Sequence, residues 1–155
     1  MSFLGRLRDN VVVLFTEETR VTRYKVLTNS IGGLTTGQNI EGHGSEWSPM
    51  FDLPDIVPNA PTVLTFEAKP TAEGTRFTVR ASQSPVSANK HVVDHTFTDT
   101  ERKTFHVVLE PLALQAATNE LIFSVAGGQN ATFYDAVIMY TADKVTVKKP
   151  LEFTT

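Results

Sequence analysis

Residues 119–140 read NELIFSVAGGQNATFYDAVIMY, two apolar runs (121–126 and 131–140) separated by Gly127, Gly128, Gln129 and Asn130. Gly and Asn accept positive φ at little cost, so two β-rich runs joined in this way predict a hairpin. The second run is nearly unbroken in apolar character, as expected of a strand covered on both faces, and has one carboxylate, Asp135, in its middle. The reading is a central strand pair of a β-sandwich. Asp135 shares strand parity with Phe133 and Val137, which predicts a buried carboxylate needing a partner.

The rest of the chain follows the same grammar. Leu64, Phe66 and Ala68 alternate with Val63, Thr65 and Glu67; Phe77, Val79 and Ala81 alternate with Thr78 and Arg80; Phe105, Val107 and Leu109 share a face. Residues 91–98 and 103–110 read as another strand pair around Asp99. Upstream, 11–16 and 20–28 read as two strands around Glu17, Glu18 and Thr19, with Thr22, Tyr24 and Val26 as the inward face of the second. Residues 29–43 read as a Gly-rich loop or wandering edge strand, and Pro49 marks 45–53 as an edge or bulge. A further edge strand is expected over 144–148. Strands every ten or so residues with no sustained helical period mean an all-β chain. The expectation is one antiparallel β-sandwich domain over 1–155, with an N-terminal arm at 1–10 and a C-terminal tail at 150–155.

Composition removes several functions. A net charge of −3 and a pI near 5.8 offer no broad basic surface for nucleic acid. The run 11–15 is far too short for a membrane span, and one apolar turn near the N-terminus is too little to anchor on a bilayer. The absence of cysteine excludes disulfides and thiolate chemistry. No signal peptide is visible, so the expected location is the cytoplasm or a larger particle.

From residue 61 onward the order TVLTFEAKP, EGTRFTVRA, DHTFTDTERKTFHVVLEP, NELIFSVAGG, ATFYDAVIMY resembles the galactose-binding-like jelly rolls that include many carbohydrate-binding modules. Asn119, Leu121, Phe123, Val125 and Gly127 match one strand of that pattern, and Phe133, Asp135 and Val137 match the last. The resemblance covers about 61–141 and implies glycan recognition without catalysis. It also implies a structural calcium site, with Asp135 as a ligand and Glu17 or Glu18 as its partner.

The ligand-binding candidates are Trp47 and Tyr24, whose rings suit the C–H face of a sugar, with His43 and Glu46 beside Trp47. Against this stands the reading of Trp47, the only tryptophan, as a plug between the sheets. His91 and His95 would share a strand face about 13 Å apart, too far for one zinc ion, and read as surface histidines. The acid pairs Glu17–Glu18, Asp52–Asp55 and Asp99–Glu101 could serve a glycosidase only if folded opposite one another. No nucleophile elbow, phosphate loop or zinc-protease motif is present, so no enzyme is expected. Asn130-Ala131-Thr132 fits a glycosylation sequon in an expected tight turn and reads as chance. The alternative to a glycan-binding module is a structural protein of a virus or phage particle, a homo-oligomer whose partner is another protein.

Overall fold

The structure, a computed structural model, describes residues 16–27, 38–40, 46–82 and 91–147. Ten strands follow in order: β1 (Thr16–Val26), β2 (Gln38–Ile40), β3 (Glu46–Trp47), β4 (Met50–Phe51), β5 (Thr62–Pro70), β6 (Arg76–Ala81), β7 (His91–Thr96), β8 (Lys103–Leu109), β9 (Asn119–Val125) and β10 (Ala131–Val147). The first sheet has the order β1-β10-β5-β8, with β2 also on β10. The second has the order β3-β9-β6-β7, with β4 also on β9. All pairings are antiparallel, and the two sheets form a jelly-roll sandwich.

The apolar alternation read from β5, β6 and β8 meets in the core. Phe66 and Phe133 from the first sheet interleave with Phe77 and Phe123 from the second, with centroids 5.1–6.0 Å apart. All four rings are fully buried, and at such spacings aromatic pairs add attraction beyond the area they bury.

Several expectations about pairing are corrected. The runs at 121–126 and 131–140 are central strands, but of different sheets, so the Gly127–Asn130 link crosses the sandwich instead of closing a hairpin. β7 and β8 likewise lie in opposite sheets. β1 runs straight through Glu17, Glu18 and Thr19, without a turn, because β10 continues to Val147 and pairs with it residue for residue. The strand expected at 144–148 is therefore the end of β10. The inward set of β1 is also reversed: Val21 and Leu27 pack against the core, while Thr22, Tyr24 and Val26 are exposed. Arg23 tolerates the inner side because the 54–57 segment covers that end, and its guanidinium donates to Asp55 Oδ2 at 3.1 Å. The arm at 1–10 and the tail at 150–155 lie outside the described residues.

Candidate binding face

The outer face of the first sheet is set by register. Tyr24 pairs with Met139, Met139 with Val63, and Val63 with Val108, so one apolar row crosses all four strands. Opposite residues of an antiparallel pair share a face, so these side chains point the same way. Tyr24 and Val108, at the two ends of the row, are 67% and 69% exposed. The next row is Val26, Val137, Thr65 and His106. Here Thr65 Oγ1 and His106 Nδ1 lie 2.6 Å apart, which leaves Nε2 as the ring nitrogen outside that contact.

The third row, Tyr134, Glu67 and Thr104, is polar. Arg102 closes it: its guanidinium pairs with Glu67, lies 3.5 Å from Asp135 Oδ2, and stacks 3.9 Å from the Tyr134 ring centre. Beyond it lies a depression lined by Lys69, Pro70, Thr71, Thr100, Glu101 and Thr132. From Val63 to Lys69 the face is about 20 Å long, and its four strands span about 14 Å. It is an open platform, apolar at one end and rich in hydrogen-bonding groups at the other.

Asp135 is not the buried carboxylate that parity implies. The register shifts between Tyr134 and Val137, where β10 spends one residue more than β5. Asp135 adopts the left-handed conformation there, at φ 48°. That bulge breaks the alternation: Phe133 and Ala136 point inward, while the Asp135 side chain is 50% exposed beside Arg102. Asp tolerates left-handed φ better than a β-branched residue would, which suits it to this position. Glu17 and Glu18 pair with Thr146 and Val145, ten or more residues further along β10 and about 33 Å away. One ion cannot take ligands from all three. No group of three His, Asp or Glu suited to a metal occurs among the described residues.

The other ligand candidates sit elsewhere. Trp47 lies on β3 of the second sheet, opposite Phe123, with ring centroids 4.7 Å apart; it is half-buried and packs against the core. Glu46 is on the outer side of that sheet, where it accepts from Ser124 Oγ at 3.1 Å and lies 3.7 Å from Arg80. Neither joins Tyr24. His43 and the side chain of His91 lie outside the described residues. His95 is half-buried: its ring lies among Phe77, Phe97 and Phe105, with centroids 4.9–5.8 Å away. Its Nε2 is buried without a hydrogen-bond partner among the described residues. Desolvation, helped by Lys103 and opposed by Asp99, lowers its pKa below the ordinary histidine value.

Sequence reasoning missed Met139, Val63, Val108, His106 and Arg102 as parts of one surface. The available signal was the outward set of β5 and β8, which is unusually apolar at Val63 and Val108.

No protein-family model matches the chain, and no curated protein matches it in sequence. Among solved structures, it is similar to the family 36 carbohydrate-binding domain of a multidomain xylanase from the hindgut metagenome of Trinervitermes trinervoides. Identity is 11% over 79% of this chain and 96% of that one, with a TM-score of 0.42. It is also similar to a family 36 module in complex with calcium and xylotriose (12% identity, 80% and 99% covered, TM-score 0.43). A third is the family 11 module of a cellulosomal cellulase of Clostridium thermocellum (16% identity, 83% and 86% covered, TM-score 0.40). These are modules of the kind the sequence resembles.

Proposed function

We propose that this protein is a non-catalytic binding module that holds a carbohydrate chain on the outer face of the first sheet. The observation that carries the reading is the row Tyr24–Met139–Val63–Val108, an apolar strip exposed at both ends and half-buried between them, beside the hydrogen-bonding rows of Thr65, His106, Glu67 and Thr104. Soluble proteins seldom leave a contiguous apolar patch open without a use for it. A sugar ring is amphipathic in the same way, with C–H groups on its faces and hydroxyls around its edge. Tyr24 supplies the stacking ring, with Val63, Met139 and Val108 as the apolar floor. His106 Nε2 and the Glu67 carboxylate address hydroxyls. Arg102 already covers Tyr134, so that ring is not a second platform.

The reading assigns no calcium to the face, because Asp135 pairs with Arg102 and lies far along β10 from Glu17 and Glu18. The test is retardation in gels containing soluble polysaccharides of different backbones. At least one should slow the wild-type chain, and Tyr24→Ala should abolish the shift while leaving the melting temperature within a degree or two. Equal retardation of both proteins would remove Tyr24 from the site.

A further inference from the structure

Among the described residues, the outer face of the first sheet carries two tyrosines, Tyr24 on the edge strand β1 and Tyr134 on the central strand β10. Their rows are those of Val63 and Glu67 on β5, and they stand one strand apart, so about 14 Å separates them. Tyr24 is open, whereas the Arg102 guanidinium lies over Tyr134, 3.9 Å from its ring centre.

A fixed turn delivers Arg102 to that ring. Asp99 accepts from the Glu101 backbone N–H at 3.0 Å and pairs with Lys103 Nζ at 3.0 Å, which sets how the chain enters β8. Strand alternation then puts Arg102 on the outer side with Thr104. Its Nη2 meets two carboxylates at once, Glu67 of β5 and Asp135 of β10, the latter at 3.5 Å. The bulge takes part, because it turns Asp135 outward to where Nη2 reaches it. Each contact alone is weak at a partly exposed site. They are coupled, however: lifting the guanidinium off the ring also withdraws it from two carboxylates that share it and repel one another. Sugar hydroxyls bring no charge to take its place, so Arg102 stays on Tyr134 while ligand lies on the face.

We propose that Arg102 is a specificity-determining residue of the face, whose role is to deny Tyr134 to the ligand. The inference rests on the carbohydrate reading above. With one ring open, ligand is held along the row Tyr24–Met139–Val63–Val108, and sugar units that run along β10 toward Tyr134 gain no stacking. With the guanidinium removed, a chain long enough to span about 14 Å stacks on both rings. Specificity is a difference of affinities, and blocking a contact is one way to set it.

The test is calorimetric titration with a length series of oligosaccharides cut from a polysaccharide that retards the protein in gels. Arg102→Ala should bind fragments that span both rings at least about fivefold more tightly than the wild type, with no gain for shorter ones. Adding Tyr134→Ala should return the affinity to the wild-type level. Thermal melts confirm that the variants are folded. An Arg102→Ala chain that binds no better at any length overturns the proposal. So does a gain that survives Tyr134→Ala, which would belong to the released Glu67 carboxylate. The cover is also read without ligand, by photochemically induced nuclear polarisation of open tyrosine rings. It should pick out Tyr24 in the wild type and both rings in Arg102→Ala, and an equal Tyr134 signal in the two proteins overturns the proposal. If no polysaccharide retards either protein, the carbohydrate reading itself fails and this inference falls with it.

Discussion

Phe123 and Phe133 face each other across the two sheets with ring centroids 5.1 Å apart, although only ten residues separate them in the chain. The link between them carries the chain from the centre of one sheet to the centre of the other. Phe66 touches both rings, at 5.5 and 6.0 Å, so the three aromatics form one cluster at the middle of the sandwich.

Truncating either ring should therefore be costly. Phe123→Ala and Phe133→Ala should each lose about 3–5 kcal/mol in urea unfolding, from lost transfer energy and the cavity left behind. The double variant should lose less than the sum, with a coupling of about 0.5–1.5 kcal/mol. Strict additivity would mean that the two rings do not sense each other.

His95 makes stability depend on pH. Its folded pKa lies below the ordinary value of about 6.5, first because of burial among Phe77, Phe97 and Phe105, and then because of the Lys103 charge, with Asp99 opposing. A depressed pKa means that the unfolded chain binds the proton first. The stabilisation is present above about pH 6.5 and is lost as pH falls toward the folded value. Urea midpoints from about pH 7.5 to 5 should fall for the wild type, and His95→Phe should flatten that part of the profile. A variant retaining the full slope would place the titration elsewhere.

Asp135 is held by backbone geometry more than by its charge. Asp135→Asn keeps a residue suited to left-handed φ and weakens a half-exposed ion pair with Arg102, so it should cost about 1 kcal/mol. Asp135→Val puts a β-branched residue at the bulge and should cost about 2 kcal/mol or more. Equal losses in thermal melts of the two variants would instead point to the carboxylate as the controlling group.

The sandwich was legible because strand alternation is a local pattern: the buried sets Leu64–Phe66–Ala68 and Phe77–Val79–Ala81 can be read off the chain by period alone. Which sheet each strand joins was not, since Gly127 and Gly128 suit a crossing as well as a hairpin. The bulge at Asp135 was hidden for a related reason. An inserted residue reverses parity, and nothing in FYDAV marks where the count slips. Tyr24 stands out in the sequence as a ring suited to a sugar face, yet alternation alone sets it on the inward side, and the exposure of its side chain emerges only in the folded sheet. Its partners in the row were not legible, because Met139, Val63 and Val108 come together only through cross-strand register. Trp47 has two readings, platform and plug, and only the pairing of β3 with β9 shows that its ring lies against Phe123.

Backbone amide chemical-shift mapping shows residue by residue whether ligand lies on the outer face of the first sheet. A polysaccharide fragment that retards the protein in gels would be titrated into the isotopically labelled chain. Shifts should concentrate at Tyr24, Val63, Thr65, His106, Val108 and Met139, with the second sheet silent. Shifts centred on Glu46, Trp47 and Ser124 would contradict it, and would move the site to the opposite sheet.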